Sequence, residues 1–180
     1  MESAQGYLRS PLYATALLGH TDTITDLAFS PDERVLATAS LDGTVRLWSM
    51  DNCTCLHQLL GSGAPITRVA FAADGTTVSG LDGSLAYIWS AEDGRELRRL
   101  AFPAGHTSGP FLSRDGCIAL SWRTQPPTSH AWSLHEQRHL AQLPGVPLAL
   151  SANGETVALR PESGSEEPRA VTIWRTRAGP

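Results

Sequence analysis

Four tryptophans cut this sequence into nearly equal lengths. Trp48, Trp89, Trp132 and Trp174 stand 41, 43 and 42 residues apart. A second marker keeps step with them: Leu56, Leu97 and Leu140 each fall eight positions after a tryptophan. A period in the low forties, held by two markers at once, predicts a repeat architecture in which each unit needs its neighbours to cover its apolar surface.

The first unit shows what the repeat is made of. Leu17 to Trp48 reads LLGHTDTITDLAFSPDERVLATASLDGTVRLW. Ile24, Leu27 and Phe29 mark an apolar run that ends at the turn Ser30-Pro31-Asp32. A second run covers 35–40, Asp42-Gly43 makes a tight turn, and a third run ends at Trp48. Alternating apolar positions with Pro, Asp and Gly punctuation predict three antiparallel strands. Asp-Gly between apolar runs is a strong hairpin signal because both residues tolerate positive φ. A further strand follows each tryptophan, at 56–60 and 97–102, and residues 12–18 look like a strand of the same kind at the start of the chain.

Gly19-His20, Ser-Pro-Asp, Asp42-Gly43 and Leu47-Trp48-Ser49 together resemble the WD40 repeat. The resemblance implies an all-β fold: a WD40-type β-propeller or partial propeller with four blades' worth of repeats. It places a loose lead-in at 1–11 and a repeat domain at 12–180. The repeats fall at about 19–60, 61–104, 105–144 and 145–180. Strand 12–18 is then the candidate to complete the last blade. The match weakens along the chain. The second repeat has Ser62-Gly63-Ala64-Pro65 where the first has Gly-His. The third regains Gly105-His106 but carries Gly109-Pro110 in its first strand, where proline cannot donate to a ladder. The fourth contains a polar loop at 161–169. Propellers of this family commonly have about seven blades within an overall range of 4–8. Additional blades, from a longer chain or a second copy, are therefore expected beside these four.

The resemblance also assigns residues. His20, Ser40, Asp42 and Trp48 are expected to form a buried hydrogen-bonded tetrad, with Asp42 accepting from His20 and Ser40 bridging toward the Trp48 indole. A buried carboxylate, imidazole and indole N–H each need a partner, whatever the family. The same three residue types could spell a Ser/His/Asp triad. No nucleophile elbow accompanies them, and between strands they face no cleft. The family's partner-binding face, carried over by position, comprises Thr23, Thr25 and Leu41 in the first repeat and Pro65, Thr67 and Leu81 in the second.

Three other clusters have plain readings. His135-Glu136-Gln137-Arg138-His139 matches H-E-x-x-H, a zinc-hydrolase pattern that requires a helix to bring both imidazoles to one face. Here it occupies the hairpin column of the repeat, so a solvated turn is expected and no metal site. Cys53 and Cys55 lie in the equivalent hairpin of the first repeat, with Cys117 the only other thiol. Arg95, Arg98 and Arg99 are balanced by Glu92, Asp93 and Glu96.

Composition excludes more than it assigns. A net charge of −4 argues against a general binder of nucleic acid or anionic membranes. No apolar run approaches the ~20 residues that span a bilayer. The start MESAQGYLRS lacks the basic and apolar blocks of a secretory signal. Three cysteines do not make a disulfide framework, which fits a reducing cytoplasmic or nuclear setting. The expectation is a non-catalytic scaffold for protein or peptide partners within a larger assembly, without a cofactor. The alternatives are an RNA- or ribonucleoprotein-associated subunit using the arginine cluster and, further off, a zinc hydrolase through His135 and His139.

Overall fold

The computed structural model describes residues 15–103, 111–124, 127–160 and 171–175. They build four antiparallel sheets, each from strands consecutive in sequence. Blade 1 contains β1 (Ile24–Phe29), β2 (Val35–Ser40), β3 (Thr44–Ser49) and β4 (Cys55–Leu60). Blade 2 contains β5 (Arg68–Phe71), β6 (Thr77–Leu81), β7 (Leu85–Ser90) and β8 (Glu96–Ala101). Blade 3 contains β9 (Phe111–Leu112), β10 (Ile118–Thr124), β11 (Pro127–Ser133) and β12 (Arg138–Pro144). Blade 4 has three strands among the described residues: β13 (Val146–Leu150), β14 (Thr156–Arg160) and β15 (Thr172–Arg175). This is the four-blade β-propeller arrangement.

The register explains the tryptophan period. Trp48 pairs with Leu36, Trp89 with Val78, Trp132 with Ala119 and Trp174 with Val157. All four sit on the third strand of a blade, opposite the second residue of β2 and its counterparts. Asp42-Gly43 turns the first of these hairpins, and Gly43 has a φ of 81° that an L side chain would strain against.

Successive side chains on a strand point to opposite faces, so each blade offers a forward and a rear face. The forward face of blade 1 (Ala37, Ala39, Val45, Leu47) buries against the rear face of blade 2 (Val69, Phe71, Val78, Trp89). Leu81 and Ala86 of blade 2 meet Ala119 and Leu134 of blade 3, and Leu120 and Ala131 of blade 3 meet Val157 and Leu159 of blade 4. Each core thus belongs to a pair of blades, as in a stacked repeat. The innermost strands and the turn at Arg114 border an open cavity of about 770 Å³ lined by Asp26, Phe29, Arg68, Phe71, Arg114 and Leu150.

Among the described residues, the two outermost faces are partly exposed. Leu27 and Phe29 on the rear of blade 1 are 57% and 54% exposed, and Ile173 in blade 4 is exposed as well. The expected strand at 12–18 is corrected in its described part. Residues 15–18 form no strand, and Leu18 is exposed. Their covalent neighbour Gly19 instead folds over Arg46 and Trp48, so this segment leaves along the rear face of blade 1. In the third repeat β9 is two residues long and begins just after Pro110. Gly105-His106 and the loop 161–169 lie outside the described residues.

Candidate interaction site

The first-repeat polar network is organised by Asp42. His20 Nδ1 lies 2.8 Å from Asp42 Oδ2, and His20 Nε2 lies 2.7 Å from Thr38 Oγ1. The Trp48 indole N–H donates to that same threonine oxygen at 2.9 Å. Donors and acceptors balance when the ring proton sits on Nδ1, so that the Thr38 hydroxyl accepts from Trp48 and donates to Nε2. The remaining Asp42 acceptor sites take the Thr21 amide at 3.0 Å, the Thr44 amide at 2.9 Å and the Thr44 hydroxyl at 2.7 Å. Burial alone would raise the Asp42 carboxyl. Hydrogen bonds from Thr44, His20 and Thr21 outweigh it and hold the group far below the usual carboxylate range.

The hydroxyl at the centre of this network is a correction to the sequence reading. Thr38, not Ser40, bridges His20 and Trp48. The alternation of β2 accounts for it, since Thr38 pairs with Leu27 and lies two residues from Leu36, the partner of Trp48, on the same face. Ser40 is two residues farther along, near the turn. Its hydroxyl donates to the Asp22 carbonyl at 3.1 Å and accepts from the Asp42 amide at 3.1 Å.

The second blade solves the same problem with other residues. Asp82 is fully buried. It accepts from Tyr87 Oη at 2.8 Å, Ser62 Oγ at 3.0 Å, and the amides of Ser84 at 2.7 Å and Leu85 at 2.6 Å. Burial opposes ionisation there too, but the Ser84, Tyr87, Leu85 and Ser62 hydrogen bonds lower the carboxyl. Burial, together with donation to Asp82, raises the Tyr87 phenol. Gly80 stands where blade 1 has Thr38, and a Cβ there would come within 2.6 Å of the Trp89 ring. Trp89 stacks on Tyr87 with centroids 5.1 Å apart. Among its described residues the third blade shows the hydroxyl-to-indole element: Trp132 Nε1 donates to Ser121 Oγ at 2.9 Å. Trp174 of the fourth is exposed.

The candidate partner face splits in two. The Leu41 amide donates to the Thr23 carbonyl at 2.9 Å, and the Ile66 amide donates to the Ser40 carbonyl at 3.0 Å. These bonds bring Thr23, Leu41 and Pro65, all exposed, to the seam between blades 1 and 2. The Thr25 hydroxyl donates across the seam to the Ile66 carbonyl at 2.5 Å, and the Thr67 hydroxyl donates within blade 2 to the Leu81 carbonyl at 3.2 Å, so both hydroxyls are occupied. Leu81 is 0% exposed and packs against blade 3, which removes it from the face. The shorter second-repeat hairpin is the reason. Leu81 ends β6 opposite Ala86, whereas Leu41 lies beyond the end of β2.

The other clusters are placed as follows. Residues 134–137 form a turn, with Gln137 at a φ of 53°, and His139 opens into β12. No helix presents His135 and His139 together, and among the described residues no group of three or more His, Cys, Asp or Glu is arranged around a common ion position. Cys53, Cys55 and Cys117 are free thiols. Arg99 makes a two-point contact with Glu96 at 3.0 and 2.8 Å and lies over the Tyr87 ring, while Arg98 donates to the His135 carbonyl.

Antiparallel blades packed face to face, with the repeat tryptophan on each third strand and an aspartate in the second turn of each of the first two blades, define a β-propeller of the repeat type. The "WD domain, G-beta repeat" family model matches residues 11–49 and 53–90. Blades 1 and 2 thus carry WD40 repeats, and the chain as a whole has the β-propeller fold. It is 29% identical over 134 residues to pre-mRNA-processing factor 19 of Bos taurus, an alignment that takes in 72% of this chain and 26% of that one. It is 28% identical over 105 residues to the small ribosomal subunit protein RACK1 of Caenorhabditis elegans, covering 58% of this chain and 32% of the relative. The solved RRP9 WD40 repeats superpose with a TM-score of 0.64 at 20% identity, over 91% of this chain and 54% of that one. The chain thus spans about a quarter to a third of these curated relatives and about half of the solved propeller.

Proposed function

We propose that this chain is a non-catalytic scaffold that captures a protein or peptide at the seam of blades 1 and 2. The observation that supports it most is Leu41: a 38% exposed leucine on a turn pinned by Asp42, between exposed Thr23 and Pro65. An apolar side chain on a backbone fixed at both ends loses little freedom when a partner covers it. The partners belong to an intracellular assembly, nuclear or cytoplasmic, and further blades from a longer chain or a second copy complete the surface. The test is cross-linking capture with wild type and Leu41→Arg at matched thermal stability. Loss of the captured partner in the variant supports the seam, and equal capture removes it.

Ribonucleoprotein association is the second reading, because two relatives carry pre-mRNA processing and the ribosomal subunit in their names. Its arginine cluster is already partly committed, Arg99 to Glu96 and Arg98 to a backbone carbonyl. RNA binding that weakens with salt and with Arg95→Ala would favour that reading over the first.

A further inference from the structure

The H-E-x-x-H stretch does contribute a histidine pair, though not the one its spacing suggests. His139 pairs with Trp132 across β11 and β12, and His130 lies two residues before Trp132 on β11, so all three share one face. The bulge between Ala131 and Trp132 draws the two imidazoles together. His130 Nδ1 and His139 Nε2 are 3.0 Å apart, with ring centroids 5.1 Å apart, and both rings lie against the Trp132 indole. His135 stays on the turn, where its carbonyl accepts from Arg98.

We propose that His130 and His139 form a two-imidazole site for a late first-row divalent cation, with water completing the coordination shell. At metal–nitrogen distances of about 2.0–2.1 Å, nitrogens 3.0 Å apart subtend an angle of about 90–97°. That is the cis angle of square-planar or octahedral coordination, which suits Cu²⁺ or Ni²⁺. A tetrahedral ion such as Zn²⁺ would need the nitrogens nearer to about 3.3 Å. In the ion-free pair one ring N–H donates to the other ring's lone pair. The ion replaces that hydrogen bond: each imidazole presents a lone pair to the metal and carries its proton on the far nitrogen. One ring changes tautomer, and a neutral pair binds without net proton loss. The ion would fasten the outer strand of blade 3 to its neighbour at the bulge.

Titration of the 180-residue chain with NiCl₂, followed by calorimetry and by thermal melting, tests this. One ion per chain is expected, with a rise in melting temperature. His139→Gln, an exposed substitution, and His130→Gln should each weaken binding by roughly tenfold or more, since removing a direct ligand costs at least as much as removing its support. Both should also abolish the melting shift, while His135→Gln leaves binding and shift intact. A melt in chelator shows that each variant is folded. The proposal is overturned if no ion binds at millimolar concentration. It is equally overturned if binding survives His139→Gln, which would move the ion elsewhere, or if His135→Gln abolishes it, which would restore the H-E-x-x-H pairing.

Discussion

Phe29 and Phe71 are the same residue in the same place. Each ends the first strand of its blade, and each pairs with the residue that sits opposite the repeat tryptophan, Leu36 in one case and Val78 in the other. Yet Phe71 is 4% exposed and Phe29 is 54% exposed. Leu27 and Val69, two residues earlier, repeat the contrast at 57% and 5%. Nothing local separates the two strands. Phe71 has a blade in front of it, whose Ala37, Ala39, Val45 and Leu47 close over it, and Phe29 does not. In a repeat fold the strand sequence prepares a surface, and the next unit turns that surface into stability.

That difference is measurable. Phe71→Ala should destabilise the chain by about 3–5 kcal/mol, the usual cost of truncating a buried phenylalanine. Phe29→Ala should cost well under about 1 kcal/mol, because half of the ring already meets water. Chemical denaturation of both variants decides the matter. A Phe29 cost approaching that of Phe71 would show that a further blade or second copy covers blade 1 in solution.

The two turn aspartates extend the comparison from apolar to polar burial. Asp82→Ala should cost about 3 kcal/mol, since it strands a buried phenol and two part-buried amides. Asp42→Ala should cost less, about 1–3 kcal/mol, because the Thr21 amide and the turn it holds lie near solvent. The Asp42 carboxyl also predicts a pH signature. Its native value lies below its ordinary 3.8, so the stabilisation is fully present above that value and is lost as pH falls toward the native one. The melting difference between wild type and Asp42→Asn should therefore be flat above about pH 5 and shrink below about pH 4. A difference that does not change with pH would mean the ionised carboxylate is not what holds blade 1.

Much of this was legible in the sequence, and the limits are physical. The strands of the first repeat follow directly from alternation and turn residues, because Pro, Asp and Gly act on the backbone beside them. The tryptophan period carried the blade count for the same reason. Blade 2's Tyr87–Asp82 network was not legible. It needs a tyrosine at a strand position opposite Gly80, and only the register brings that side chain under the turn. The fate of Leu81 was missed similarly, since a hairpin shorter than that of blade 1 moves the residue from rim to core. His130 and His139 meet through a bulge, a feature with no local marker between them. The signal that could have been used is weaker: in a β-hairpin, residues flanking a tryptophan at i−2 and on the next strand share its face.

Thr38 and Ser40 give the smallest and sharpest test, because both are hydroxyl residues on one strand, two positions apart on the same face. Thr38→Val keeps the shape and removes the oxygen that serves both His20 and Trp48. It leaves a buried indole N–H unpartnered and should cost about 1–2 kcal/mol. Ser40→Ala removes one bond to the Asp22 carbonyl and one from the Asp42 amide, both near the solvent-facing turn. Its cost should be about 0.5–1 kcal/mol. The two also separate by position: only Thr38→Val should perturb the Trp48 indole, read as a shift of its N–H resonance. If Ser40→Ala moved that resonance and Thr38→Val did not, Ser40 would be the bridging hydroxyl and the pairing of β2 with β3 would have to change. That slip is two residues, which keeps each side chain on its face but takes Ala37 and Ala39 off Leu47 and Val45, their cross-strand partners in the core they share with Phe71.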